Sequence, residues 1–530
     1  MAGFVRYFRF ILRRERVVSG LWLAITCACT VGFAAMYPAL FDAGGMNELA
    51  DMLASPAMVG LMGPPYPDGV LTTATLFAQT MNVWVMLALG VMNIFLVIRH
   101  TRADEEMGRL ELLRSLPLGR LAGIASVLVF ALLLNAAIAV VSALLLVLVN
   151  LEGTTAAGAF AYAGAVGAAG FVFASVALLT AQLFTTARGA LGGAMAVLGA
   201  AYILRAAGDV TGGTMGYLSP MGLGTRVYAF HLNDIRMLLL LLLECAVPIA
   251  AAFVIAVRRD LGEGVFPARK GAAGASQFLR SPLGLAWRLT RGTVIIWCGV
   301  MLIVGALYGV IIGDMAAFVE SNEMFRRMLE GGVGTDAIAA GLTEQYVALL
   351  MVVMAMLACV PVLILTGRLR GEETHGRLEP ILARAVKRTT MFGSYILIAT
   401  LTSVAAMVCA AIGLYLPTTG QNAITFTACM AAALVYLPAL WLMMGLCVLL
   451  AGAAPRLTAL CWVLFAYSFA AIYLGRMYSL PAWTAQITPF GHVPQLPAQA
   501  FAAAPLLVMT ALAIALGAVG LIWFARRDIG

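Results

Sequence analysis

Long apolar runs alternate with short polar segments along the whole chain. The runs cover residues 17–41, 71–98, 121–150, 156–184, 188–207, 237–257, 293–313, 346–366, 391–414, 424–450, 457–474 and 505–524. A bilayer-crossing α-helix needs roughly 20 such residues. The pattern therefore predicts an all-α integral membrane protein with twelve transmembrane helices. Composition agrees: of 530 residues, 62% are hydrophobic and 11% charged. That is too apolar for a water-facing surface over this length, which excludes a soluble enzyme, a nucleic-acid binder and a disordered regulator. The first run is too long for a signal-peptide core and reads as a retained helix.

Charge orients the spans. With the N-terminus inside and twelve crossings, the cytoplasmic segments hold 27 of the 33 Lys and Arg residues, and the external segments hold Arg205, Arg226, Arg236, Arg326, Arg327 and Arg476. Acids divide 11 inside and 13 outside, so only the cations are sorted. This is the positive-inside pattern, and it predicts both termini in the cytoplasm.

An internal repeat divides the chain. Residues 102–111, Arg-Ala-Asp-Glu-Glu-Met-Gly-Arg-Leu-Glu, match residues 370–379, Arg-Gly-Glu-Glu-Thr-His-Gly-Arg-Leu-Glu, at an offset of 268 without a gap. The same offset carries Arg258-Arg259-Asp260-Leu261-Gly262 onto Arg526-Arg527-Asp528-Ile529-Gly530, and one residue more aligns Ser219-Pro220-Met221-Gly222 with Thr488-Pro489-Phe490-Gly491. The expected organisation is a first six-helix repeat over 1–261, a cytoplasmic linker rich in Gly, Ala and Ser over 262–282, and a second six-helix repeat over 283–530. Six crossings is an even number, so the repeats run parallel, with any pathway where they meet.

In the repeated loop Glu105 precedes Arg109 by four residues, as Glu373 precedes Arg377, the favourable order for a helical ion pair. Leu110, Leu113 and Leu116, and in the second copy Leu378, Ile381 and Leu382, predict short amphipathic helices at the cytoplasmic surface. Solvated charges flanking membrane helices are the plain explanation. They account poorly for an acidic cluster that recurs within arginine-rich loops; docking of a soluble partner accounts for it better.

The two loops resemble the coupling-helix motif of ABC-2 type exporter permeases. The fused twelve-helix form is similar to the actinobacterial polyketide-antibiotic and multidrug exporter permeases. The resemblance implies that Glu105, Glu106, Gly108, Arg109 and Glu111, with Glu372, Glu373, Gly376, Arg377 and Glu379, contact a separate ABC ATPase subunit, two copies of which sit under the two repeats. The second loop departs from the first: Thr374 replaces the second Glu, Pro380 stands where Leu112 is, and Ala385 replaces Pro117. Weaker docking of the second loop is the expectation. The chain has only Lys270 and Lys387, and neither follows a Gly-x-x-x-x-Gly-Lys-[Ser/Thr] loop, so ATP and Mg belong to the partner and this chain binds no cofactor. The expected substrates are hydrophobic or amphipathic small molecules moved out across the plasma membrane of a bacterium.

Within the spans, Glu244 is the one acid clearly inside an apolar run, and Pro248 one turn later predicts a kink. Glu244 reads either as a cavity-facing site for a cation or proton, or as a carboxyl near the outer headgroups paired with Arg236 or Arg205. Asn93 is a second pathway candidate, although Asn93 and Asn135 fit inter-helix hydrogen bonding better. Small residues at Ala159, Ala163, Gly167, Gly189 and Gly193 predict close helix packing. The nine cysteines lie in or beside apolar runs and read as buried hydrophobes rather than metal ligands. Phe4, Phe8, Ile11 and Leu12 share one side of an arginine-rich N-terminal segment, which predicts a helix in the headgroup plane.

Three functions remain on these residues: an ATP-driven exporter permease, a secondary transporter of the major-facilitator kind with the same twelve-helix plan, and a membrane scaffold without transport.

Overall fold

The computed structural model describes residues 3–40, 43–110, 119–260, 262–266, 274–321, 335–374, 376, 378–383, 386–419, 424–474 and 481–527. These residues are helices and their connections, apart from one isolated β-bridge between Phe184 and Phe266. Among the described residues, twelve helices are long and apolar enough to cross a membrane. The chain divides into two compact units, Met1–Gly271 and Ala272–Gly530.

The first unit contains α1 (Phe4–Leu40), α2 (Ala43–Leu53), α3 (Pro56–Met62), α4 (Thr73–His100), α5 (Arg102–Glu106), α6 (Ala122–Val149), α7 (Ala156–Leu183), α8 (Ala187–Thr211), α9 (Pro220–Thr225), α10 (Ile235–Glu244) and α11 (Ala246–Arg258). Threonine hydroxyls start three of the spans. Thr72 accepts from Thr75 N at 3.2 Å, Thr155 from Gly158 N at 3.0 Å and Thr186 from Gly189 N at 3.1 Å. Each satisfies a backbone donor that the helix itself leaves open.

The expected headgroup-plane helix is not separate from the first span. Residues 4–19 contain neither Gly nor Pro, and α1 runs unbroken for 37 residues, roughly 55 Å at 1.5 Å per residue. The kink expected at Pro248 is present as a break at Cys245 between α10 and α11. Proline has no N–H to offer the Glu244 carbonyl one turn earlier.

Helix α7 is the centre of this unit, packed against α4, α6, α8 and both segments of the sixth span. Its small face permits this: Ala159, Ala163 and Gly167 are buried, and a methyl group on Gly167 would lie 3.1 Å from the Asn135 carbonyl oxygen of α6.

The second unit contains α12 (Pro282–Ser321), α13 (Thr335–Thr374), α14 (Glu379–Leu382), α15 (Arg388–Tyr415), α16 (Phe426–Leu434), α17 (Leu437–Ala453), α18 (Leu460–Phe469), α19 (Ala482–Gln486) and α20 (Ala503–Arg526). Its tenth span is broken between α16 and α17, where Pro438 opens the second segment. Helix α17 packs closely along α20, and a methyl on Gly445 would meet the Ala513 carbonyl oxygen at 2.7 Å.

The cysteines are unpaired as disulfides. Cys27, Cys245, Cys359, Cys429, Cys447 and Cys461 are buried, Cys298 and Cys409 half-buried, and Cys29 exposed.

Candidate functional site

The repeated acidic motif lies at the arginine-rich end of the spans. In the first unit α5 continues directly from α4, and Gly108 follows it at φ +71° with open space around its Cα. Gly376 occupies the same left-handed region at φ +65°. A side chain is strained there, which is the local reason for glycine at both positions.

Glu105 is the hub of this end. Arg259, just past α11, donates from Nη1 to Oε1 at 2.9 Å and from Nη2 to Oε2 at 2.8 Å, and the Gly262 N–H adds a third bond at 2.8 Å. Arg102 approaches from the other side, 3.0 Å from Oε2. Arg102 is itself buried and donates to the Phe184 and Glu263 carbonyls, both at 2.6 Å. Arg120 closes the arrangement by donating to the Arg259 carbonyl at 2.6 Å.

The second unit repeats these contacts at the same offset of 268. Arg527, just past α20, pairs with Glu373, and Arg388 donates to the Arg527 carbonyl at 2.6 Å. Arg370, in the place of Arg102, donates to the Thr458 hydroxyl. In each unit the arginine that ends the last span therefore holds the loop acid of the second span.

The helical pair expected between Glu105 and Arg109 does not form. Helix α5 ends at Glu106, so Arg109 lies beyond it and pairs with Asp104 at 3.2 Å instead. Asp104 also takes two bonds from Arg14 of α1, at 2.6 and 3.1 Å. Glu15, the next residue of α1, lies 2.8 Å from His100 Nε2 and 3.3 Å from Arg99 Nη1. Helix α1 is thus tied by charge to the end of α4 and to α5. Glu111 and Arg377 lie outside the described residues, as do Leu113 and Leu116.

The motif residues differ in what they offer to water. Glu105 and Glu373 are turned into their own unit, with side chains 5% and 18% exposed. Glu372 pairs with Arg368 at 3.9 Å. Glu106, Arg109, Gly376 and Glu379 are exposed. Glu106 also accepts from the Ala187 N–H at 2.8 Å, at the start of α8. The same offset places Thr374 at the position of Glu106 and Pro455, which has no N–H, at that of Ala187. The helix that loses its free donor loses the carboxylate that would meet it.

Among the pathway candidates, Asn93 and Asn135 exchange amide bonds at 3.0 and 2.8 Å. Each also donates to its own helix, at Leu89 and Ala131, both at 2.8 Å. Asn93 is fully buried, with both amide hydrogens and its oxygen engaged inside the bundle. Glu244 is half-buried, and its Oε2 is enclosed without a hydrogen-bond partner. Arg205 does not serve it.

Arg205 and Arg226 instead share Asp209, at 3.2 and 2.8 Å, and each guanidinium stacks on a tyrosine, Tyr202 and Tyr217, at 4.7 and 4.6 Å. Arg205 also donates to the Gly60 carbonyl at 2.6 Å, which fastens α3 to the far end of α8. Nearby, Tyr66 donates to the Ala229 carbonyl at 2.9 Å, and burial raises its phenol above the ordinary tyrosine value.

Sequence reasoning counted Arg259 and Arg527 as marks of the repeat and not as partners of the loop acids. The signal was present, because motif and arginine pair share one offset. Arg205, Asp209 and Arg226 carried no pattern that would join them.

Residues 279–525 match the family described as "Multidrug efflux system permease Rv1217c, C-terminal domain". Over 533 aligned residues, 99% of this chain and 95% of the relative, the sequence is 34% identical to the Multidrug efflux system permease protein Rv1217c of Mycobacterium tuberculosis (strain ATCC 25618 / H37Rv). With 34% identity from end to end, the chain belongs to the family of this multidrug efflux permease.

Proposed function

We propose that this chain is the permease subunit of an ATP-driven ABC exporter that moves hydrophobic or amphipathic compounds out of the cell. ATP and Mg are bound by a separate ATPase, one copy at each repeated loop on the cytoplasmic side of the plasma membrane. The observation that carries this reading is the doubled hold on the loop acids, Glu105 by Arg259 and Glu373 by Arg527. A soluble engine acts on a membrane bundle by moving a surface element. An ion pair from that element to the last span of the same unit passes the displacement inward. The exposed members, Glu106, Arg109, Gly376 and Glu379, form the docking face. Family membership supports the efflux part of the reading.

Glu244 supplies the negative point on the pathway. An unpartnered carboxyl among apolar side chains is costly in a membrane and suits the cationic end of an amphipathic compound.

Purification from native membrane tests the proposal. A soluble ATPase should co-purify, and its ATP turnover should rise with hydrophobic compounds. Charge reversal of Glu106 and Glu379 together should release it. Isolation without any ATPase, from membranes in which the compounds are still exported, overturns the reading.

A further inference from the structure

The first unit carries a lateral groove that neither the loop contacts nor the pathway residues explain. It has a volume of about 470 Å³ and runs between α1 and α8 over the end of α4. Its walls are apolar: Trp22 from α1, Met92 and Phe95 from α4, and Leu191 from α8. At one end stand Arg99 and Arg188. The two halves are stacked along the span direction. Phe95 lies four residues before Arg99 toward the middle of its span, and Leu191 three residues after Arg188 toward the middle of its own.

The arginines differ in their partners. Arg99 reaches Glu15 at 3.3 Å and keeps 49% of its side chain exposed. Glu15 is 1% exposed and lies beside the buried His100, so Arg99 is its arginine partner, and only the exposed face of Arg99 remains for a further anion. Arg188 is exposed and, among the described residues, has no carboxylate partner. It sits in the first turn of α8, where the helix dipole adds to its positive potential. At the repeat offset Arg188 is matched by Arg456, but Glu15 becomes Leu283 and Arg99 becomes Gly367, so the pair of arginines at the groove's end belongs to the first unit.

We infer that this groove is a binding site for an anionic phospholipid. The phosphate sits at Arg188 and the exposed face of Arg99, and one acyl chain lies along Trp22, Phe95 and Leu191. Basic pockets between membrane helices select anionic headgroups in this way, and a tryptophan at the boundary suits the join between headgroup and chain. The site is independent of the exporter reading and needs neither nucleotide nor ATPase.

The test uses the full chain in phosphatidylcholine vesicles with photoreactive lipids, either phosphatidylglycerol or phosphatidylcholine carrying the same diazirine acyl chain. Adducts on peptides spanning 18–22, 92–99 and 187–191 should form from phosphatidylglycerol in preference to phosphatidylcholine. Arg188→Glu should lower that preference about fivefold or more, and Arg188→Lys should keep most of it. An unchanged thermal unfolding midpoint for both variants shows that the fold is intact. Equal labelling by the two lipids, or an undiminished preference in Arg188→Glu, overturns the inference. Loss of labelling on addition of inorganic phosphate also overturns it, by reassigning the site to a free anion.

Discussion

Arg259 holds Glu105 through two parallel hydrogen bonds of 2.9 and 2.8 Å, across 154 residues of chain. Glu373 and Arg527 are also 154 residues apart and pair through one contact, Arg527 Nη2 donating to Glu373 Oε1 while Nη1 donates to the Ala451 carbonyl. Bidentate guanidinium–carboxylate pairing fixes direction as well as distance. The second and sixth spans of each unit are thereby joined at one end by a contact that a rotation of either would break.

Removing one member of the first pair should cost more than removing both. Arg259→Ala leaves a carboxylate that is 5% exposed without its main partner, a loss on the order of 3 kcal/mol. Glu105→Ala/Arg259→Ala should recover part of it. Thermal unfolding of the detergent-solubilised single and double variants measures the difference; additive losses would contradict the pairing.

The two loops should not be equivalent. Glu106 caps the Ala187 N–H, whereas the corresponding positions are Thr374 and Pro455. Charge reversal of Glu105 with Glu106 should impair transport-coupled ATP turnover about fivefold more than reversal of Glu372 with Glu373, since one variant loses a helix cap that the other never had. Turnover of the reconstituted complex, with and without transported compound, is the measurement, and equal losses would contradict the asymmetry.

Asn93 and Asn135 should behave as one unit. Asn93→Leu leaves the Asn135 amide facing hydrocarbon and should destabilise by about 1 kcal/mol, while Asn93→Leu/Asn135→Leu should cost less than the single change. A preserved export rate in the double variant that folds would locate their role in packing.

Asp209 is the only carboxylate that Arg205 and Arg226 share among the described residues. Asp209→Ala leaves two guanidiniums facing each other, and its loss should lower stability by about 3 kcal/mol or more. Limited proteolysis within 54–72 and 212–234 should accelerate, because Arg205 fastens the first stretch to α8 and Arg226, through Asp209, fastens the second.

Glu244→Gln should reduce export of lipophilic cations about tenfold while sparing neutral compounds of similar shape, a difference of one buried charge interaction. Efflux of a matched cationic and neutral pair from intact cells reads this directly.

The spans were legible because crossing a membrane leaves a long, one-signed signal: about twenty apolar residues that no local contact can imitate. The Pro248 break was legible for a similar reason, since the missing N–H acts within one turn. The continuity of α1 was not, because an amphipathic arginine-rich segment has the same composition whether it bends into the headgroup plane or extends the first span. Only the absence of a breaker over 4–19 pointed to the straight helix. At the loops, spacing four suggested Glu105 with Arg109. The backbone leaves the helix at Glu106, and a partner 154 residues away wins. Such long-range pairs depend on which helix ends meet, and periodicity within one loop holds no record of that.

The most direct test is transport by the chain reconstituted in liposomes with and without its ATPase. The account expects accumulation of a hydrophobic compound only when ATPase and ATP are both present, with Arg259→Glu and Arg527→Glu uncoupling hydrolysis from movement. Transport by the chain alone on a proton gradient, with no nucleotide, would contradict it.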